Sequence, residues 1–97
     1  MSTYIMLTDW TDDGIRHVKD SADRLQAARQ LCRQHGAEIT GFYMTIGAHD
    51  MVVIIEAPND EEFAKLAISI AKGGNVRTKT LKAFDEDQYR KIIGSIG

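Results

Sequence analysis

Met51-Val52-Val53-Ile54-Ile55-Glu56-Ala57 is the stretch on which the fold turns. Successive side chains of an extended strand point to opposite faces, so Met51, Val53 and Ile55 share one side while Val52 and Ile54 share the other. A strand apolar on both faces must be covered on both, which places it at the centre of a sheet.

Working outward, Gly47-Ala48-His49-Asp50 is a short connection to residues 38–46, whose β-branched and aromatic content reads as the partner strand of a hairpin. On the other side, Asn59 with Glu62 three residues on opens a helix striped by Phe63, Leu66, Ala67 and Ile70, and Gly73-Gly74 closes it. Residues 76–84 form a last strand carrying Arg77, Lys79 and Lys82. Asp85 and Gln88 then cap a short C-terminal helix with Tyr89, Ile92, Ile93 and Ile96 on one side.

At the other end of the chain, residues 4–7 make a first strand, closed by polar residues around Trp10. Ile15, Val18, Ala22, Leu25, Ala28 and Cys32 then recur at helical spacing, with Gly36 as the stop and Asp20-Ser21 as a candidate break, since Ser suits a helix start.

Two right-handed β-α-β units split by a hairpin give an α+β, ferredoxin-like βαββαβ fold with antiparallel order 4-1-3-2 and an added C-terminal helix. The strands of continuous apolar character, the first and third, fall in the centre. The cations of the fourth strand suit an exposed edge. With 97 residues there is room for one core, so residues 1–97 are expected to be one domain. Two helices cover one sheet face, and bare aliphatic side chains on the other forfeit roughly 1.5–3 kcal/mol each. A second copy pairing sheet to sheet is therefore the expected cover, with the C-terminal helix folding across the face as the competing one.

Twelve basic residues against fourteen acidic give a net charge of −2, which supplies no field to collect nucleic acid or an anionic membrane. The third strand also lacks the aromatics on which RNA-binding domains of this topology stack bases. A single cysteine, Cys32, and three scattered histidines show no metal-ligand spacing, so neither a metal nor a cofactor is expected. No basic and apolar leader opens the chain and no apolar run approaches the roughly 20 residues of a membrane span, so the expected location is the cytoplasm.

Chemistry, if any, rests on a few residues. His49-Asp50 pairs an imidazole with a carboxylate, but chain neighbours at a turn point apart, so each would act only with groups from elsewhere. Trp10 plugs the core end or walls a ligand; His17 borders the buried stripe. His35, in the last helical turn, is structural. Tyr43 on the second strand, and Arg77 with Lys79 on the fourth, complete the candidates, the cations being able to hold an anionic group.

Asp9-Trp10-Thr11, Gly14-Ile15, Lys19-Asp20-Ser21, Gly41-Phe42-Tyr43, the run from Asp50 to Pro58, and Gly74-Asn75-Val76-Arg77-Thr78 together resemble the GYD-domain family over nearly the whole chain. That family is similar to the dimeric α/β-barrel superfamily, in which two ferredoxin-like sheets pack face to face, and its members are mostly small bacterial proteins without an assigned reaction. The resemblance implies a homodimer or higher homo-oligomer. His49 stands where the family's tyrosine would be expected, so no tyrosine role is carried over, whereas Gly47 and Asp50 match.

The leading expectation is a homodimeric small-molecule-binding or accessory protein with an apolar cleft between sheet and helices, lined near Trp10, His17, Tyr43 and Arg77, with His49 and Asp50 as further ligand contacts. The rival is a cofactor-independent oxygenase or isomerase acting on a small, often aromatic, molecule, with His17 or His49 transferring the proton. A third is an assembly module without a ligand. Whether the chain is an enzyme is left open by the sequence.

Overall fold

The computed structural model describes all residues 1–97. Its strands are β1 (Ser2–Trp10), β2 (Glu38–Met44), β3 (Met51–Ala57) and β4 (Val76–Ala83), and its helices α1 (Asp12–Arg16), α2 (Ser21–Gln34), α3 (Asp60–Ala71) and α4 (Glu86–Gly94). The four strands form one antiparallel sheet in the order β2-β3-β1-β4, the order the sequence predicts read from the other edge.

The central pairing sets Tyr4 against Ile55, Met6 against Val53 and Thr8 against Met51, and all six side chains are buried beneath α2 and α3. Cys32 of α2 and Phe63 and Leu66 of α3 close on them, with the Tyr4 and Phe63 rings stacked at 4.1 Å. The Tyr4 hydroxyl donates to Asp60, whose carboxylate also meets Lys82 Nζ at 2.8 Å, so one acid ties β1, α3 and β4 together. Burial, and then Asp60, raises the Tyr4 pKa; hydrogen bonds from Lys82 and Tyr4 hold the Asp60 carboxyl below its usual range.

Local signals account for most boundaries. Asn59 Oδ1 accepts from the Glu62 amide at 2.9 Å, Asp85 and Gln88 form a reciprocal capping box, and Gly36 ends the α2 segment at φ 70°. Two expectations need correction. β1 runs on through Trp10, which is a strand residue and not part of a polar loop, because pairing with both β3 and β4 supplies ladder partners that the local sequence does not reveal. The second is the phase of the first helical stripe: the break anticipated at Asp20-Ser21 is present, with α1 stopping at Arg16 and a 3₁₀ turn over Val18–Asp20 before α2 begins at Ser21. That break shifts the helical phase, leaving Ile15 48% and Val18 39% exposed. Asp20 precedes the first residue of α2, Ser21, without a side-chain capping bond.

What α1 contributes instead is a close backbone approach. Thr11 donates its amide to Asn75 O at 3.1 Å and its hydroxyl to Gly74 O at 2.6 Å, locking the turn before α1 to the loop before β4. A Cβ on Gly14 would lie 2.0 Å from Asn75 O, a backbone atom that cannot move aside cheaply. Gly14→Ala is therefore expected to lower unfolding free energy by about 1–3 kcal/mol, read as a reduced urea midpoint with unchanged slope.

Between α2 and α3, His35 Nδ1 lies 2.9 Å from Glu62 Oε2, and this hydrogen bond, with Lys65 nearby, holds the Glu62 carboxyl below its ordinary value of 4.5. Because the ionised form is the one favoured in the folded state, the clamp is fully present above about pH 4.5 and is lost as pH falls through the lowered value. His35→Ala should lower stability above about pH 4.5 and flatten its fall below that point, as measured by urea melts at a series of pH values.

Candidate functional site

Two regions of the chain carry candidate chemistry, and the sheet separates them. On the helix side, between α2 and the inner faces of β1, β2 and β3, lies an open apolar cleft of about 250 Å³. Met6, Val53, Leu25, Ala28, Leu31, Phe42 and Ile70 form its walls and Trp10 stands at its end beside Val76. The cleft exists because α2 presents Ala27 and Ala28 where larger residues would fill the space against Phe42 and Val53. Arg24 supplies the cation at the rim, but its guanidinium is already engaged, donating to His17 O at 3.0 Å and Gly14 O at 3.2 Å.

The second region is the hairpin end of the sheet. Thr45 N donates to Asp50 O at 2.8 Å and Thr45 Oγ1 to His49 O at 2.6 Å, which fixes the turn around Gly47. Asp50 then faces the end of β1: its amide donates to Thr8 O and Asp9 Oδ1, both at 3.1 Å, and its Oδ2 accepts from the Trp10 amide at 3.0 Å. His49 turns its Nδ1 to Asp9 Oδ2 at 3.2 Å. The result is an imidazole–carboxylate pair, partly exposed, built from residues forty positions apart. Such a pair can orient the ring so that Nε2 faces outward for proton transfer.

The residues singled out from the sequence therefore divide. Trp10 lines the cleft, as expected. Tyr43 and Arg77 do not, because both project from the opposite face of the sheet: Tyr43 pairs with Val52 and Arg77 with Asp9, and Val52 and Asp9 alternate away from the buried set. His17 is also outside the cleft; it is exposed in the break after α1, with Nδ1 2.9 Å from Asp13 O. His49 and Asp50 each hydrogen-bond to residues at the end of β1, Asp9 for both and Trp10 for Asp50. Asp9 is the functional candidate missed. The signal for it was the register: with β1 antiparallel to β3 and Thr8 opposite Met51, Asp9 must fall beside Asp50. No group of three or more His, Cys, Asp or Glu side chains is placed to hold a metal ion, and no helix is long and apolar enough to cross a membrane.

Comparison with known proteins agrees with this architecture. The chain is 32% identical over 84 residues to the glutamine synthetase and cystathionine β-lyase binding protein of Thermus thermophilus, covering 86% of this chain and 88% of that one. Among solved structures, it is similar to a feast or famine regulatory protein of M. tuberculosis complexed with L-methionine, at TM-score 0.67 and 15% identity, over 88% of this chain. There the chain spans about half, 51%, of the regulator's length. It is also similar to the 5-chloro-2-hydroxyhydroquinone dehydrochlorinase of Burkholderia phenoliruptrix in complex with 2,5-dihydroxybenzoquinone, at TM-score 0.60 and 17% identity, over 90% of this chain and 97% of that one. At these identities the structural likenesses speak for the ferredoxin-like fold alone. The GYD domain family model matches residues 4–93, nearly the whole chain, and the protein belongs to that family.

Proposed function

We propose that this protein is a homodimeric binding protein whose cleft beneath α2 takes a small, flat apolar molecule. The cleft itself carries the reading. Its volume of about 250 Å³ exceeds the ~150 Å³ that admits benzene and approaches the ~300 Å³ at which small-molecule pockets begin. Its walls are almost wholly side-chain hydrocarbon, and Trp10 offers a ring for stacking. The Thermus relative is described by the two enzymes it binds, which supports an accessory role for this chain as well.

The homodimer rests on the uncovered face of the sheet. Ile5 lies between Ile54 and Leu81 across three strands, and Leu7 lies between Val52 and Lys79, so a continuous aliphatic patch faces away from the helices. Tyr43 extends it at the β2 edge and is 60% exposed. Burying such a patch against its own copy recovers roughly 1.5–3 kcal/mol for each side chain fully removed from water.

The enzyme reading is favoured by one observation, the His49–Asp9 pair at the hairpin end. A ring oriented by a carboxylate can accept a proton from a phenolic or enolic substrate, as cofactor-independent isomerases and oxygenases on small aromatic molecules require.

Two outcomes separate these readings. Small planar aromatics such as indole or naphthol should raise the melting temperature, since a ligand binding only the folded state must stabilise it, and Ala28→Trp should abolish the rise by filling the cleft. Under the enzyme reading, turnover of hydroxylated hydroquinones followed by absorbance should fall at least ~100-fold in His49→Ala. No turnover by the unsubstituted protein leaves binding as the function.

A further inference from the structure

The C-terminal helix α4 is left without a partner in its own chain. Two residues separate it from β4, it packs closely on no other element, and it has no buried residue. It leaves β4 at Ala83, which pairs with Thr3 near the start of β1, so it departs from the end of the sheet away from the β2–β3 hairpin. Yet its sequence is built for docking: Tyr89, Ile92 and Ile93 lie on one side at helical spacing, Ile96 falls just beyond the helix end and not in its stripe, and Tyr89 and Ile93 are 58% and 51% exposed. A nine-residue helix in water is marginal by itself and owes its stability to packing.

The open face of the sheet is unevenly apolar along the strands. At the α4 end it carries Thr3 between Glu56 and Ala83, with Thr3 Oγ1 donating to Glu56 Oε1 at 2.9 Å, and offers the helix little apolar surface. The aliphatic rows begin further along and reach the hairpin end, where Tyr43 is followed by Ile46, 99% exposed. Arm and apolar receptor thus sit at opposite ends of one molecule.

We propose that α4 is an exchanged arm: in a dimer whose stacked sheets run with reversed strand direction, the α4 stripe of each copy docks on the Tyr43–Ile46 hairpin rim of the other. This rests on the sheet-to-sheet pairing proposed above and adds its direction and its second contact. A two-fold axis makes the contact twice, arm to hairpin and hairpin to arm. The area requires something of the kind. Four strands about 4.8 Å apart and some 25 Å long present a footprint of about 500 Å², whereas a stable interface buries about 800 Å² per partner. One aromatic side chain buries about 150–250 Å², so Tyr89 with Ile92 and Ile93 makes up the difference. The same reversal brings the Tyr43 phenol of one copy over the Glu56 end of the other, where Glu56 Oε2 is buried without a hydrogen-bond partner. The docked arm also closes over the rim that carries His49 and Asp9.

The test is disulfide trapping in the full chain. Cys32 is fully buried and serves as a silent background. Ile46→Cys and Ile93→Cys variants, mixed and mildly oxidised, should give a cross-linked 46–93 dimer in at least tenfold excess over 46–46 and 93–93 species, identified by peptide mass. Ile93→Asp should raise the dimer dissociation constant at least tenfold in sedimentation equilibrium while circular dichroism remains that of the folded chain. Dominant 46–46 or 93–93 links overturn the reversed direction. A dimer with no 46–93 link and an unchanged constant in Ile93→Asp overturns the arm but leaves sheet pairing standing, provided Ile5→Lys still dissociates it. An unsubstituted protein that sediments at its 10.8 kDa chain mass at micromolar concentration overturns both, leaving α4 for a different protein.

Discussion

The antiparallel register between β1 and β3 is the constraint on which the rest of this molecule depends. With Tyr4 opposite Ile55 and Thr8 opposite Met51, the even-numbered side chains of β1 turn to the helices and the odd-numbered ones away. A slip of one residue would send Tyr4, Met6 and Thr8 outward and bring Asp9 into the core, so the register is strongly specified by burial. The same alignment sets Asp50 beside Asp9 and Trp10, which is how a hairpin between β2 and β3 becomes tied to the end of β1. Core, cleft and hairpin site are three consequences of one pairing.

The two sides of the sheet then take different physical roles. The helix side is closed around Ile55, Leu66 and Cys32, which are fully buried, and its apolar cleft arises where alanines of α2 face the sheet. Space of that kind costs packing contacts unless something fills it, which is why a cleft next to a tryptophan reads as a binding feature. The other side keeps an aliphatic patch in the company of Asp9, Arg77 and Lys79, the mixture of apolar centre and charged margin found at protein interfaces. The apolar cleft lies on one side of the sheet and the aliphatic patch on the other, with the His49–Asp9 pair at the hairpin end.

Much of this was legible in the residues. The exact span of β3, the caps at Asn59 and Asp85, the stop at Gly36 and the sheet order all follow from short-range patterns. The first helix was readable only in part: Asp20-Ser21 marked the interruption, but the lost phase that exposes Ile15 and Val18 was not visible, because a periodic stripe looks the same whether or not the backbone between its members changes its turn. Trp10 reads as a loop residue because β1 is apolar only over residues 4–7, while its ends are held by ladder bonds to strands distant in sequence.

The sequence by itself determined the secondary elements, their order, and the need of β3 for cover on both faces, since alternation, capping and burial preference act within a few residues of each position. Only the tertiary structure decided that Tyr43 and Arg77 part company with Trp10, that His49 finds Asp9 and not Asp50, and that α4 leaves the sheet instead of lying across it. Those outcomes depend on register and direction between segments up to forty residues apart, where a single residue's offset reverses which face a side chain meets.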